Sequence, residues 1–98
     1  MDINQILKSK QEIILQIAAQ HGGRNVQVFG SLARGEATPQ SDLDLLVTLE
    51  PGRSLLDLIA IKQDLEDLLG CQVDVVTEAA ISPYMKEQVL KEAVSLER

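Results

Sequence analysis

Two short groups of residues could do chemistry together: Gly30-Ser31 and, after a gap of ten residues, Asp42-Leu43-Asp44. A glycine that ends a strand lets the backbone approach a ligand closely, and the amides that follow it at a helix start bind anionic oxygens. In an extended backbone the side chains of Asp42 and Asp44 point to one side and that of Leu43 to the other. The sequence therefore predicts a phosphate-binding loop beside two carboxylates, which suits metal-assisted nucleotidyl transfer.

Asp42 and Asp44 stand at the entrance of an apolar run that continues to Val47. Two carboxylates at the start of a buried strand repel each other and lose hydration, unless a cation lies between them. Their hard oxygen ligands fit Mg²⁺ or Mn²⁺ better than zinc, and the chain has one cysteine and one histidine to offer zinc. We therefore expect these two aspartates to be metal ligands.

A third carboxylate, Asp74, is the one polar residue within the apolar run Val73–Val76. On a strand beside that of Asp42, it would face the same cation site. The alternative is an aspartate on the solvent face of an edge strand, where charge is common. Three carboxylates and a phosphate loop are the minimum for two-metal phosphoryl transfer, in which one ion orients the acceptor hydroxyl and the other holds the triphosphate.

Ser31 and Arg34 extend the predicted phosphate loop. The Ser31 hydroxyl adds a hydrogen-bond donor. Arg34, on a helical turn, would face the same phosphate loop and its guanidinium would offer two hydrogen-bond donors to a triphosphate. The alternative for Gly30-Ser31 is a simple turn followed by a helix cap. The two downstream aspartates favour the phosphate-binding interpretation.

These residues must be positioned by a small α/β domain. Hydrophobic periodicity, together with helix and turn signals, predicts the order α-β-α-β-α-β-α, in which the third element is a helix or a single turn. A mixed three-stranded sheet with helices packed on it, an α+β arrangement, accounts for this order. The predicted long helices span residues 2–20, 54–70 and 83–96, and the predicted strands span residues 26–29, 42–49 and 73–77.

Each long helix is expected to bury one apolar stripe. Ser54 would cap the second helix and Gly70 would end it, whereas Ser82 and Pro83 would open the last one. The charged run from Lys62 to Asp67 is expected to be a solvated helix face. The expected buried residues are Ile3, Ile6, Leu7, Ile13, Ile14, Ile17 and Ala18 in the first helix, Leu55, Leu58, Ile59, Leu65, Leu68 and Leu69 in the second, and Met85, Val89, Leu90, Ala93 and Val94 in the last.

Composition bounds the class of protein. The chain has 98 residues, a formal net charge of −6 and 2% aromatic residues, which suits one domain over residues 1–98 with an aliphatic core. The acidic charge and the scarcity of aromatic platforms argue against nucleic-acid binding. No apolar run is long enough to span a membrane, and the N-terminus lacks signal-peptide features, so the expected compartment is the cytoplasm. Cys71 and Tyr84 are expected to pack, with self-modification as an alternative for Tyr84.

The combined pattern resembles that of a known family. Gly30-Ser31-Leu-Ala33-Arg34-Gly35, then Ser41-Asp42-Leu-Asp44-Leu45, then Asp74 is similar to the signature of minimal nucleotidyltransferases of the polymerase-β-like superfamily. The resemblance covers the length of the chain and points to the group found as antitoxins beside HEPN-domain toxins. It implies protein AMPylation, in which AMP passes from ATP to a tyrosine of the partner toxin and blocks the RNase activity of that toxin.

The same resemblance implies roles for the individual residues. Asp42 and Asp44 would bind both Mg²⁺ ions. Asp74 would complete the coordination of the ion on the acceptor side and take the proton of the acceptor hydroxyl. Gly30 and Ser31 would hold the triphosphate of ATP.

Two rival functions remain open. A noncatalytic antitoxin would neutralise a toxin by masking its surface. Such a protein has no use for three clustered aspartates, which repel one another and lose hydration. Nucleotidyl transfer to a small molecule such as an aminoglycoside would require a second domain to hold the acceptor.

Overall fold

The fold was described from a computed structural model that covers residues 3–30 and 42–96, with side chains from residue 8 onward. In these ranges the chain forms an α+β domain with a mixed sheet, as predicted. Its helices are α1 (Ile3–Gln20), α2 (Leu55–Leu69) and α3 (Pro83–Glu92), a short 3₁₀ helix covers Glu78–Ala80, and its strands are β1 (Gly23–Phe29), β2 (Leu43–Leu49), β3 (Val73–Val76) and β4 (Val94–Ser95). None of the described helices has the length and apolar character needed to cross a bilayer.

Within the described residues the sheet has four strands, in the order β3-β2-β1-β4. β2 pairs antiparallel with β1 and parallel with β3, so β2 is a central strand and β3 an edge strand. The antiparallel pairing brings the end of β1 beside the start of β2, and Phe29 is paired with Asp44. The parallel pairing places Asp74 of β3 at the same level as Asp44. Gly30, Asp44 and Asp74 therefore lie at one end of the sheet.

The fourth strand corrects the predicted three-stranded sheet. The last helix was expected to reach residue 96, but α3 ends at Glu92 and Ala93 adopts an extended conformation with ψ 134°. Val94 then pairs with Val28, and the Leu96 amide donates to the Val26 carbonyl at 2.9 Å. These pairs satisfy the backbone hydrogen-bonding groups on the outer edge of β1. Helical periodicity in the sequence cannot reveal such a long-range pairing.

The two faces of the sheet differ. One face, which we call the core face, carries the alternate residues Leu43, Leu45 and Val47 of β2 and packs against α1 and α2. The intervening residues Asp44 and Leu46 lie on the other side, which we call the open face, and α3 covers part of it. The buried cluster on the core face consists of Ile14, Ala18, Val26, Val28, Leu43, Leu45, Val47, Leu58, Ile61, Leu65 and Val73.

The ends of α2 follow the prediction. Ser54 and Asp57 form a capping box, in which the Leu56 amide donates to Ser54 Oγ at 3.2 Å and the Ser54 amide donates to Asp57 Oδ2 at 2.9 Å. Gly70 ends the helix in the left-handed region, with φ 70°. Both ends depend on neighbouring residues alone, which explains why the sequence predicts them.

The buried stripes were predicted less well. In α2 the buried residues are Leu58, Ile61 and Leu65, so the helix is rotated relative to the predicted stripe and leaves Leu55 and Ile59 exposed. Ile14 and Ala18 of α1 are buried as expected, but Ile13 is exposed. In α3 only Val89 is buried, whereas Met85, Leu90 and Val94, expected to point inward, are exposed.

Strand β1 is longer than predicted and begins at Gly23 rather than at Val26. Its pairing with β2 shifts register between Arg24 and Gln27, and Asn25 within this bulge has φ 53°. Glycine and asparagine are uncommon in regular strands, which is why the sequence places the strand start too late.

Candidate functional site

Two of the three predicted aspartates, Asp44 and Asp74, lie side by side on the open face near the start of β2. Asp44 is half-buried within β2. Asp42 lies two residues earlier, directly before that strand, and is exposed. Asp74 is paired with Asp44, which separates their backbones by about 4.8 Å, the usual spacing of neighbouring strands. Asp74 is also exposed and on an edge strand, as the alternative interpretation of this residue expected.

Gly30 lies directly against the Asp44 carboxylate. A Cβ atom built at Gly30 would overlap Asp44 Oδ2, and the backbone there has φ +79°, which side chains rarely adopt. Glycine is thus needed for two reasons, conformation and close approach. The first residue of the predicted phosphate loop therefore contacts one of the predicted metal ligands. Ser31 and Arg34, predicted in the same loop, lie outside the described residues.

The aspartates form an open set. Among the described side chains, no group of three His, Cys, Asp or Glu residues lies close enough together to hold a metal ion. The expected convergence of the three carboxylates on one point is therefore not seen, although the pairing of Asp44 with Asp74 brings two of them side by side. Carboxylate oxygens remain the donor type that suits Mg²⁺.

A cleft of about 280 Å³ opens beside Asp44, between the sheet and α3. Its volume is close to the lower end of small-molecule sites, about 300 Å³. Four α3 residues with the spacing of one helix face form one wall of the cleft. Along this wall the Gln88 side-chain amide donates to Glu92 Oε1 at 3.2 Å. The cleft residues are Phe29, Gly30 and Asp44 on the sheet side and Met85, Gln88, Val89 and Glu92 on the α3 side.

Sequence reasoning missed the α3 wall of this cleft. Met85 and Val89 were expected to belong to a buried stripe, and Gln88 and Glu92 were not assigned to a site. The spacing of the four residues was visible in the sequence, but it predicts only which side chains share a helix face. It does not reveal that this face lines a cleft rather than a packed core.

A pair of charged α2 residues holds the outer edge of β3, one residue before Asp74. The Val73 amide donates to Glu66 Oε2 at 3.0 Å, and Lys62 Nζ donates to the Val73 carbonyl at 2.9 Å. Lys62 and Glu66 also form an ion pair at 3.3 Å. We call these two residues the edge clamp, because they satisfy backbone groups that an edge strand would leave unpaired.

The edge clamp corrects the prediction that the charged run of α2 is only a solvated face. The hydrogen bond from the Val73 amide lowers the pKa of Glu66 below its ordinary value, and Lys62 lowers it further against the opposing effect of burial. The ionised carboxylate of Glu66 is thus the form that binds the strand. No sequence signal marked these residues, because their partner lies on a strand that follows the helix.

Cys71 lies close to the site but has the character of a packing residue, as predicted. It is half-buried and packs against the core cluster. Burial raises the pKa of its thiol, and the charges of Asp42 and Glu66 raise it further. The thiol is therefore held in its unreactive, protonated form.

Comparison with known proteins places the chain in a family. Residues 4–96 match the family described as nucleotidyltransferase domain. The chain belongs to this family. A Methanocaldococcus jannaschii protein assigned as a protein adenylyltransferase is 43% identical over 96 residues, which cover 98% of this chain and 99% of that protein. The protein adenylyltransferase MntA of Thermococcus cleftensis is 40% identical over 79 residues, which cover 81% of this chain and 80% of that protein.

Solved structures agree with this assignment. A structure described as a minimal nucleotidyltransferase is 51% identical, with a TM-score of 0.85 over 96% of this chain and 95% of that one. A toxin–antitoxin pair with AMP-PNP gives a TM-score of 0.76 at 21% identity, over 89% of this chain and 72% of that one. A Shewanella oneidensis complex of a tri-AMPylated HEPN toxin with an MNT antitoxin gives 0.70 at 18% identity, over 92% and 71%. The last two likenesses show a shared fold.

Proposed function

We propose that this nucleotidyltransferase transfers AMP from ATP to a tyrosine hydroxyl of a partner HEPN-domain toxin, and that it acts as the antitoxin of that pair. The observation that carries the proposal is the contact between Gly30 and Asp44, beside Asp74. It joins the end of the predicted phosphate loop to the predicted metal ligands. Support for the acceptor comes from the relatives that bear the name protein adenylyltransferase and from the AMPylated toxin bound to a protein of the same fold.

The proposed roles combine the sequence pattern with the geometry of the open face. Gly30, Ser31 and Arg34 bind the triphosphate of ATP through backbone amides, a hydroxyl and a guanidinium group. Asp42 and Asp44, with Asp74, would hold two Mg²⁺ ions, since their oxygens are the ligands that Mg²⁺ prefers. Bound Mg²⁺ would supply neutralisation of the charge on the reacting phosphates. Two exposed aspartates beside a half-buried one leave the site accessible to a large acceptor.

In the reaction the acceptor oxygen forms a bond with the α-phosphorus of ATP, and the bond between this phosphorus and the bridging oxygen breaks. Pyrophosphate leaves with that oxygen. We assign Asp74 as the acceptor of the phenolic proton, and its exposure and its position beside Asp44 at the strand edge support this role. The cleft between Asp44 and α3 provides room for a substrate group next to the reacting atoms.

One observation favours a second function, a noncatalytic antitoxin that masks the toxin surface. Among the described residues the carboxylates do not converge on one metal-binding point. A protein that does not catalyse transfer would have the same feature. The two functions differ in one product. Only the transferase attaches AMP to its partner.

The test is incubation of the chain with isotopically labelled ATP, Mg²⁺ and the product of the neighbouring gene, followed by intact-mass measurement of both proteins. We expect the partner to gain the mass of AMP with the wild-type chain and not with Asp44→Asn. A matched control is Asp67→Asn, which removes the same charge from an exposed position on α2. A bound but unmodified partner would favour the masking function.

A further inference from the structure

Tyr84 is the only tyrosine of the chain and is almost entirely exposed, at 96%. The expectation that it packs at a helix start is therefore wrong. A tyrosine ring normally buries a large apolar area, and its exposure leaves the phenol accessible to another protein molecule. The side chain offers the same chemical group, a phenolic hydroxyl, that the proposed function assigns to the acceptor.

Tyr84 directly precedes a residue that lines the candidate site. The next residue, Met85, lines the cleft together with Gly30 and Asp44 and is 56% exposed. Tyr84 itself does not line the cleft, because its side chain leaves α3 about 100° away around the helix axis. The hydroxyl therefore faces solvent rather than the Asp44 carboxylate of its own chain. An acceptor role requires the site of a second copy.

The backbone that carries Tyr84 is fixed by its local structure. Ser82 caps α3, and its Oγ accepts a hydrogen bond from the Tyr84 amide at 3.3 Å. Pro83 at the first helical position restricts the chain further. The tyrosine is thus presented from an ordered helix start, which limits the entropy lost when its ring enters another site.

Charge and symmetry favour the approach of two copies through this region. The cleft carries Asp44 and Glu92, whereas the first turn of α3 contains no acidic residue and includes Lys86, which pairs with Glu78 of its own chain at 3.8 Å. The positive end of the helix dipole adds to this complementarity. Because the cleft and Tyr84 lie side by side, a two-fold arrangement with the two open faces opposed would bring each Tyr84 to the cleft of the other copy.

We propose that Tyr84 is an acceptor of AMP in transfer between two copies of this chain. The proposal rests on the proposed adenylyltransferase function and adds a modification site to it. Tyr84 Oη of one copy forms a bond with the α-phosphorus of ATP held by the other copy, and the bond from this phosphorus to the bridging oxygen breaks. Pyrophosphate leaves with that oxygen, and the phenolic proton passes to Asp74 of the copy that holds ATP.

Two complementary full-length variants test the proposal. Tyr84→Phe keeps the site and the aromatic ring but lacks the acceptor hydroxyl, whereas Asp44→Asn keeps Tyr84 but lacks a catalytic carboxylate. Each is incubated with ATP and Mg²⁺ alone and in a mixture, and intact mass and peptide mass are measured. We expect the Asp44→Asn copy to gain AMP on Tyr84 only in the mixture, at a rate that doubles when its concentration is doubled below saturation.

The partner toxin serves as the control that separates the two proposals. Wild type and Tyr84→Phe are expected to label the toxin at equal rates. Labelled toxin without AMP on Tyr84 in the mixture would overturn this inference and leave the proposed function intact. Labelling of neither protein would overturn both. If wild type gained AMP on Tyr84 but the Asp44→Asn copy gained none in the mixture with Tyr84→Phe, the transfer would occur within one copy. That result would contradict the arrangement proposed here.

Discussion

The two faces of the sheet are built from the same strands, yet they carry out different tasks. On the core face, Leu43, Leu45 and Val47 are buried beneath two helices. On the open face, Asp44 lies between them in sequence but faces a cleft, and α3 approaches through one buried residue, Val89. The alternation of side chains along a strand creates both faces. What covers each face decides whether it forms the core or stays accessible for the proposed reaction.

The largest expected effect is the loss of stability when the core face is damaged. Leu45→Ala removes a fully buried side chain from the centre of β2 and should cost about 2–5 kcal/mol of unfolding free energy. Met85→Ala, the matched change on the open face, should change it by no more than about 0.5 kcal/mol because Met85 is exposed. Urea denaturation of both variants checks the contrast. Equal losses would mean that α3 is part of the core.

The converse change should remove activity without removing stability. Asp44→Ala deletes a carboxylate that contacts Gly30 and is proposed to bind metal, so AMP transfer should fall at least about a hundredfold. Its melting curve should remain cooperative. Asp67→Ala serves as the control for a lost surface charge and should retain full activity. Near wild-type transfer by Asp44→Ala would exclude the assigned site from the reaction.

A third comparison separates backbone strain from the contact with Asp44. Gly30→Ala and Gly52→Ala both place a side chain at positive φ, +79° and +88°, which costs about 1–2 kcal/mol of stability in each case. A Cβ at Gly52 meets no atom, whereas one at Gly30 meets the Asp44 carboxylate. We therefore expect only Gly30→Ala to lose AMP transfer, by at least about tenfold, the equivalent of about 1.4 kcal/mol. Equal activities would show that the contact is unimportant.

The smallest expected effect concerns the edge clamp, which joins the core-face helix α2 to the strand of Asp74. The pKa of Glu66 is lowered in the folded chain, so its stabilising contribution is present above its ordinary pKa of 4.5 and is lost as the pH falls through the lower folded value. Glu66→Gln should therefore be less stable than wild type near neutral pH, and the difference should shrink in acid.

Thermal melts across this pH range check the prediction for the edge clamp. Glu87→Gln is the matched control, because Glu87 forms an exposed pair with Lys91 at 3.6 Å without a backbone contact. A constant difference between wild type and Glu66→Gln at every pH would argue against the ionised clamp.

The sequence predicted those features that depend on neighbouring residues. The Ser54 cap, the Gly70 end of α2 and the alternation that separates Asp44 from Leu45 are all local, and the structure has each of them. The strand of Asp74 was considered as a neighbour of the strand of Asp42 and Asp44, and the structure pairs these strands and adds the register that sets Asp74 opposite Asp44.

The rest depended on long-range packing. Strand β4 forms because β1 needs a partner on its outer edge, and a helical pattern in residues 83–96 cannot reveal this. Met85 and Tyr84 were expected to pack because apolar and aromatic residues usually do, but α3 stands away from the sheet and leaves them exposed. The edge clamp was missed for the same reason, since the partner of Lys62 and Glu66 is the backbone of a later strand.

The central claim is that the open face transfers AMP to a protein. Its most direct test is the intact mass of the partner toxin after incubation with the wild-type chain, ATP and Mg²⁺. The account predicts a toxin heavier by one or more AMP groups, carried on tyrosine, and an unmodified toxin when Asp44→Asn replaces the wild-type chain. A toxin that is bound and neutralised by the wild-type chain but gains no mass would contradict it.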